Sequence, residues 1–209
     1  QTTAEGSSIK FYEKGKEDKP LELVGMNPRQ IRDAGVHLAF VPEDRLGMGL
    51  VGSMGMTGNM LLKSYGKGHS PLIDMKAPKS LAEKVRDDLE VVTPNINTPV
   101  SRLSGGNVQK VLVGREIAEK PTVLMTAYAV RGLDINTSYT IYNLLNEEKE
   151  SGSAVVYVGE DLDVLIDLCD KILVLCDGQA NGILDARTTT KEEVGLLMTN
   201  LKKGGAANE

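Results

Sequence analysis

Residues 103–110 read Leu-Ser-Gly-Gly-Asn-Val-Gln-Lys and open a run with apolar residues on one helical face at 108, 111, 112 and 118. Serine is a common N-cap residue, so Ser104 can cap this helix. Gly105 and Gly106 let a bound group approach the free N–H donors at the positive end of the helix dipole, which is one way to hold an anion such as phosphate. A capped turn without any ligand explains the same residues, so both interpretations stand at this point.

The chain after this motif alternates helical patterns with apolar runs. Strand and helix in alternation, with short polar joints, are typical of a parallel sheet covered by helices. We therefore expect an α/β fold in this half. The expected elements are a helix at 107–119, a strand at 122–127, a helix at 136–150, a strand at 154–158, a helix at 162–168, and strands at 172–175 and 183–184.

The first half is less regular. Runs at 9–12 and 21–24 predict a short antiparallel pair, Asn27 with Pro28 predicts a helix start, and 36–41 is typical of a strand. Glycines, methionines and prolines between 43 and 79 predict loops around a short helix at 57–62, and Ser80 is expected to cap a helix at 80–89. This organisation predicts four segments: part of the core with the hairpin at 1–44, a helical subdomain at 45–118, the rest of the core at 119–202, and a tail at 203–209.

Composition excludes several classes of protein. The 209 residues carry a formal charge of −5 without a tight basic cluster, and aromatic residues make up 4%, so we expect no nucleic-acid partner. The longest purely apolar runs, such as 172–175, are far shorter than the roughly 20 residues of a membrane-spanning helix. Two cysteines, Cys169 and Cys176, and two histidines favour neither a disulfide framework nor a zinc site. We expect a cytosolic protein.

Four segments together are similar to a known family. LSGGNVQK at 103–110 resembles the signature motif of ABC transporter nucleotide-binding domains, in the form found in the second half of monosaccharide and nucleoside import ATP-binding proteins. VPEDR at 41–45 resembles that subfamily's Q-loop segment, RGLD at 131–134 resembles the stretch ending in the D-loop, and GEDLD at 159–163 lies where the family has its switch region. The resemblance covers roughly residues 9 to 200. It implies a RecA-like P-loop NTPase sheet with a helical ABC subdomain.

The phosphate-binding loop of this family is not found in the chain. No G-x-x-x-x-G-K-[ST] motif occurs, and in the family that loop precedes the antiparallel pair. We therefore expect the chain to begin downstream of the loop, with a RecA-like sheet that is incomplete. Without its amides and lysine, tight ATP binding by this chain alone is not expected.

Further departures affect catalysis. Counting back from Asp134, the resemblance places Ala127 and Tyr128 where the family has an Asp for magnesium and a Glu that polarises water. A methyl group offers no oxygen to a metal, and a phenol with a pKa of roughly 10 is a poor base. The Q-loop glutamine corresponds to Glu43 and the switch histidine to Glu160, and carboxylates there would repel a triphosphate unless a metal or proton intervenes. The resemblance thus implies a degenerate site with no catalytic residue and no metal ligand.

The signature segment itself is intact. In the family's head-to-tail dimers each signature helix faces ATP held by the partner's phosphate loop. The resemblance therefore implies that Ser104, Gly105, Gly106 and Asn107 contact nucleotide in trans, with ATP and magnesium held mainly by the partner half. It places Asp134 near the dimer seam. A helix N-cap is the alternative interpretation of Asp134.

The resemblance also implies partners. The parent protein would be an ATPase coupled to uptake of a sugar or nucleoside, peripheral on the inner face of the cell membrane, with this chain inactive alone. Clustered methionines at 48, 54, 56 and 60 form either a docking surface for the membrane permease or buried filling. The rival function is a noncatalytic scaffold that docks the permease and binds no nucleotide. A sheet lacking its leading strand and helix exposes apolar surface, so we also expect self-association.

Overall fold

The computed structural model describes residues 4–13, 15, 18–64 and 73–199. The chain divides into two compact units, residues 1–156 and 157–209. The predicted tail at 203–209 lies outside the described residues. Among the described residues, no helix combines the length and the apolar character needed to cross a bilayer.

The first unit opens with the expected hairpin. Strands β1 (Lys10–Phe11) and β2 (Leu21–Glu22) pair antiparallel. Helix α1 (Pro28–Asp33) begins where predicted, because Asn27 and Gln30 form a reciprocal capping box: Asn27 Oδ1 accepts from the Gln30 amide and Gln30 Oε1 accepts from the Asn27 amide, each at 2.9 Å.

The core of the first unit is a parallel sheet. Strands β3 (Leu38–Val41), β4 (Val123–Ala127) and β5 (Ala154–Val158) lie in the order β3-β4-β5. The parallel register pairs Leu38 with Val123 and Val41 with Thr126. Helix α5 (Ile135–Glu150) follows β4. Because β3 and β4 are parallel neighbours, their carboxyl ends bring the segments 42–45 and 128–134 to the same edge of the sheet.

Helices occupy the middle of the chain. After a helical turn at Arg45–Gly49 come α2 (Met56–Ser64), α3 (Lys76–Asp88), a single 3₁₀ turn (Val100–Arg102) and α4 (Gly105–Ile117). The expectation that Ser80 caps α3 is wrong, since the helix begins at Lys76 and its N-cap, Met75, makes no side-chain bond. Pro78 is compatible with this earlier start, because a first-turn residue needs no intrahelical N–H partner.

A buried ion cluster, which local sequence patterns do not predict, fixes α4 to its surroundings. Glu116 is fully buried and accepts hydrogen bonds from the guanidinium of Arg115 and from Lys63 Nζ at 2.8 Å. The Phe40 amide also donates to Glu116 Oε2, at 3.3 Å, and Arg115 Nη2 donates to the Gly49 carbonyl at 2.7 Å. One charged cluster therefore ties α4 to α2, to β3 and to the turn after β3.

The second unit is a helix-covered hairpin. It contains α6 (Leu162–Leu168), β6 (Lys171–Cys176), β7 (Gln179–Asp185) and α7 (Lys191–Met198). The sequence pattern placed β6 in the parallel alternation and did not predict its pairing with β7, which is antiparallel in the structure. The reason is the two-residue connection Asp177-Gly178, with φ angles of 50° and 74°, which suits a tight hairpin and is far too short for a parallel crossover.

Helix α7 was not expected from the sequence. A capping box starts it, in which the Thr190 hydroxyl accepts from the Glu193 amide and Glu193 Oε2 accepts from the Thr190 amide, each at 3.3 Å. The Thr-x-x-Glu spacing was the signal that would have predicted it. Its buried Val194 completes a small core with Ile172, Val174 and Ala186.

Candidate functional site

The tip of α4, residues 103–107, is formed by Ser104 as N-cap. Ser104 Oγ accepts from the Asn107 amide at 3.4 Å and from Asn107 Nδ2 at 2.9 Å, which confirms the predicted cap. Ser104 and Gly105 are exposed. The first-turn amides of a helix have no intrahelical partner and lie at the positive end of its dipole, so this tip presents donors suited to an anion.

The two glycines of the tip have different surroundings. A Cβ on Gly105 would meet only Arg45 Nη1, at 3.4 Å. A Cβ on Gly106 would lie 3.1 Å from Thr137 Oγ1 and 3.7 Å from Asp134 Oδ2. Gly105 therefore faces open space, whereas Gly106 is where α4 packs against the start of α5.

The Asn107 side chain is already engaged. Its Oδ1 accepts from the Val92 amide at 2.9 Å, while its Nδ2 donates to Ser104 Oγ. The carboxamide thus links the start of the loop after α3 to the helix cap. Its role at the tip, in this conformation, is to hold Ser104.

Arg45 connects the tip to the carboxyl edge of the sheet, and sequence reasoning gave it no role. Its Nε donates to Gln109 Oε1 at 2.8 Å, and its Nη2 donates to the Arg131 carbonyl at 2.5 Å. Gln109 is fully buried, one turn into α4. Burial also lowers the pKa of the Arg45 guanidinium from its usual value. In the sequence, the only indication for Arg45 is that it ends the VPEDR segment that resembles the family's Q-loop.

Glu43 and Arg131 form an ion pair at this edge. Arg131 Nη1 lies 2.5 Å from Glu43 Oε1, and both side chains are about half exposed or more. The guanidinium carbon of Arg131 lies 5.9 Å from the ring centroid of Tyr128. The negative charge expected at Glu43 is therefore balanced by a cation from this chain.

The end of β4 provides no metal ligand of the usual kind. Ala127 is the last residue of the strand, and Tyr128 turns the chain sharply, with a φ of 51° that bulky residues rarely adopt. Within residues 4–13, 15, 18–64 and 73–199, no group of three or more His, Cys, Asp or Glu side chains is arranged to hold a metal ion. Magnesium implied by the family resemblance does not fit these residues.

Asp134 is the N-cap of α5, as one of its two interpretations predicted. Its Oδ1 accepts from the Thr137 amide at 2.9 Å and its Oδ2 accepts from the Thr137 hydroxyl at 2.7 Å. Hydrogen bonds from the amide and then from the hydroxyl of Thr137 lower the pKa of Asp134. The carboxylate stands beside Gly106, at the base of the α4 tip.

Glu160 belongs to the second unit, where it is exposed in the turn before α6. Its neighbour Asp161 caps that helix by accepting from the amides of Asp163 and Val164. The geometry within this unit assigns the capping role to Asp161 and leaves the predicted switch role of Glu160 as a prediction.

The clustered methionines divide into a buried pair and an exposed pair. Met56 and Met60 are buried, at 0% and 1% exposure. Met48 and Met54 are exposed, at 72% and 40%. Half of the cluster therefore fills the core beside α2, and the other half lies on the surface next to exposed Leu46 and Val51.

Comparison with solved structures gives the class of fold. The chain superposes on the dimeric post-hydrolysis state of the ATP-binding cassette MJ0796 bound to ADP and Pi with a TM-score of 0.67 and 21% identity, over 82% of this chain and 77% of that one. A second dimeric structure of MJ0796, described as a bacterial ABC transporter cassette, matches with a TM-score of 0.66. The protein has the α/β fold of an ABC ATPase cassette.

Sequence comparison identifies homologues among import proteins. The chain is 36% identical over 157 residues to the xylose import ATP-binding protein XylG of Moorella thermoacetica, covering 75% of this chain and 31% of the relative. It is 33% identical over 211 residues to the nucleoside import ATP-binding protein NupA of Lactococcus lactis subsp. cremoris, covering 100% of this chain and 39% of the relative. No family model matches the chain. The chain thus spans between 31% and 39% of the length of these relatives.

Proposed function

We propose that this chain is part of the ATP-binding subunit of an ABC importer for sugars or nucleosides, and that it presents the tip of α4 to ATP held by a second nucleotide-binding half. The observation that carries the proposal is the tip itself, in which Ser104 and Gly105 are exposed at the amino end of a capped helix. Homology to import ATP-binding proteins of xylose and nucleosides supports the same function.

The contact with nucleotide is made by few groups. Ser104 Oγ and the amides of Gly105 and Gly106 offer hydrogen bonds to phosphate oxygens, and the α4 dipole favours the negative charge. Asn107 holds Ser104 in place through the 2.9 Å bond from its Nδ2. Gly106 and Asp134 fix the direction of the tip through their packing at the start of α5.

Hydrolysis belongs to the partner half in this proposal. Ala127 and Tyr128 provide neither a metal ligand nor a general base at the end of β4. The second half contributes the phosphate loop, the magnesium ion and the residues that activate water, and this chain alone does not turn over ATP.

The importer also requires a membrane partner. Leu46 and Met48, within the turn at Arg45–Gly49, and Met54 after it are exposed apolar residues, and the thioether side chains of the methionines repack easily. We propose that a membrane permease docks on this surface, which places the protein on the cytoplasmic face of the membrane. Exposed Leu38 and Phe40 on β3 support self-association of the chain by itself.

A titration with Mg-ATP tests the trans contact. The chain alone is expected to show no tight binding, whereas its mixture with a half that carries a phosphate loop is expected to bind ATP and form a complex. Ser104→Arg is expected to abolish the gain, because the larger cationic side chain fills the tip.

Ser80→Arg, on the exposed surface of α3, is the matched control and is expected to bind as the wild type does. Equal complex formation with and without nucleotide would contradict the proposal and favour the scaffold function. Turnover of ATP by the isolated chain at ordinary rates would also contradict it.

A further inference from the structure

We propose that the Arg131 guanidinium supplies, at the carboxyl ends of β3 and β4, the positive charge that a divalent metal brings to an ABC ATPase site, and that the part of the chain that the structure describes contributes no metal ligand. The proposal concerns the binding of ions by this chain alone. It therefore does not depend on the trans contact at the α4 tip, and the two proposals can fail separately.

The position of the ion pair is set by the sheet. Glu43 lies two residues after β3, Arg131 lies four residues after β4, and these strands are adjacent and parallel. Ligands of open α/β sheets bind at this edge, outside the carboxyl ends of the strands. Arg131 Nη1 and Glu43 Oε1 are 2.5 Å apart there, so a guanidinium already balances the carboxylate that a metal would need.

Arg131 makes contacts through both its backbone and its guanidinium. Its amide donates to the Tyr128 carbonyl at 3.1 Å, and its own carbonyl accepts from Arg45 Nη2. Arg45 is in turn fixed by buried Gln109. The guanidinium also lies beside the Tyr128 ring, within the range of a cation–π contact. The cation is therefore positioned by both its backbone and its side chain.

Two further carboxylates at this edge, those of Asp44 and Asp134, already accept hydrogen bonds from amides or a hydroxyl. Asp44 accepts from the Gly47 amide at 2.8 Å as the cap of the turn that follows β3. Both oxygens of Asp134 accept from Thr137. Magnesium prefers oxygen ligands in near-octahedral geometry and binds through one or two carboxylates. Ala127, at the end of β4, has no carboxylate to offer a metal. The carboxylate of Glu43 remains, and its charge is already balanced by Arg131.

An exposed guanidinium can still meet a phosphate directly. The Arg131 side chain is 63% exposed, and its ion pair with Glu43 involves only one guanidinium nitrogen, Nη1. A planar guanidinium offers five N–H donors, so others are left for a phosphate. We therefore expect polyphosphate to bind near Arg131 in the absence of any divalent ion.

Binding of Mn²⁺ to the isolated chain, followed by electron paramagnetic resonance, tests the metal part. The wild type is expected to show no one-to-one site tighter than about 1 mM. The double variant Ala127→Asp, Tyr128→Glu restores two carboxylates and keeps Arg131, and a triple variant adds Arg131→Gln. The triple variant is expected to bind Mn²⁺ at least about tenfold more tightly than the double variant, because a nearby cation opposes the metal. A one-to-one Mn²⁺ site in the wild type that Glu43→Gln removes would overturn the proposal.

Binding of inorganic tripolyphosphate in excess chelator tests the charge of Arg131 without relying on the multiple variants. Arg131→Gln is expected to weaken binding several-fold. Arg187→Gln is the matched control, since Arg187 is also an exposed arginine paired with a carboxylate, Asp170, at 3.2 Å. Equal affinities of the wild type and Arg131→Gln, or an equal loss in the control, would overturn the proposal.

Discussion

Gly106 lies against Thr137 so closely that a side chain at position 106 would make a tight contact with it. A Cβ built on Gly106 would stand 3.1 Å from Thr137 Oγ1 and 3.3 Å from Thr137 Cγ2. Thr137 has little freedom to move, because it is largely buried and donates twice to Asp134. The packing of α4 on α5 therefore favours glycine at position 106, whatever its role toward a ligand.

Gly106→Ala is accordingly expected to destabilise the protein by about 1–3 kcal/mol, the usual cost of overpacking. Urea denaturation followed by circular dichroism measures the change. Gly105→Ala is the matched control: its Cβ would meet only Arg45 Nη1, at 3.4 Å, and alanine favours a helix over glycine by up to about 1 kcal/mol. Equal stabilities of the two variants would contradict the packing argument.

Glu116→Gln is expected to be among the most destabilising single substitutions. The carboxylate is 0% exposed and accepts from Arg115 and from Lys63 Nζ. Removal of its charge leaves the 6%-exposed Arg115 without a counter-ion, and breaking a buried pair in this way costs about 3–5 kcal/mol. The free energy of unfolding from denaturant titration gives the loss.

Lys63→Met separates the two partners of Glu116. The Lys63 side chain is 36% exposed, so its loss is expected to cost less than the loss of Glu116. Asp88→Asn, at the exposed end of α3, serves as a surface control and is expected to change stability by no more than about 0.5 kcal/mol. If Glu116→Gln were as mild as this control, the cluster would have no structural role.

Local patterns in the sequence predicted the elements well, because their causes are local. The Asn27 capping box, the Ser104 cap and the alternation of β3 can each be read within a few residues. The Glu116 cluster could not be predicted in this way, since Lys63 is 53 residues from Glu116. The same applies to Arg45, whose bond to the Arg131 carbonyl joins positions 86 residues apart.

Two features of the second unit were not predicted although local signals for them are present in the sequence. Asp177-Gly178 is a two-residue turn between apolar strands, and a hairpin follows from it directly. Thr190 and Glu193 have the spacing of a capping box. The resemblance correctly indicated the class of fold, whereas the roles of Ser104, Gly105 and Glu160 toward nucleotide stay predictions because they depend on groups outside this chain.

Glu22 gives the hairpin a pH dependence. The Ser8 hydroxyl at 2.5 Å and the amides of Ile9 and Val24 donate to its carboxylate, and these bonds lower its pKa from 4.5 to about 2. A depressed pKa in the folded state means that the carboxylate stabilises the hairpin fully above pH 4.5 and loses this effect as the pH falls toward about 2. We expect exchange of the Ile9 and Val24 amide protons to be least protected at the acid end of that window.

Titration of the Glu22 carboxyl carbon by nuclear magnetic resonance measures the shift directly. Ser8→Ala is expected to raise the midpoint, because the Ser8 hydroxyl is the largest cause of the lowered pKa. Ser7→Ala is the control and removes no bond to Glu22. A midpoint close to 4.5 in the wild type would show that these donors do not hold the carboxylate in solution.

The divided methionine cluster makes a final prediction possible. Met60 is 1% exposed on α2 and Met48 is 72% exposed in the turn after β3, so truncation of each has a different effect. Met60→Ala is expected to cost about 2–5 kcal/mol through the cavity that it leaves, whereas Met48→Ala is expected to change stability by no more than about 0.5 kcal/mol.

Thermal or urea unfolding compares the two variants, and their binding to a membrane permease completes the comparison. If Met48 belongs to a docking surface, Met48→Ala keeps the fold and loses affinity for the permease. Lys84→Ala, on the exposed surface of α3, is expected to change neither quantity. Full permease binding by Met48→Ala would contradict the docking surface, and an unchanged stability of Met60→Ala would contradict the buried role of Met60. Because the two residues lie in one short segment of the chain, the pair distinguishes a methionine kept for packing from one that is available to a partner.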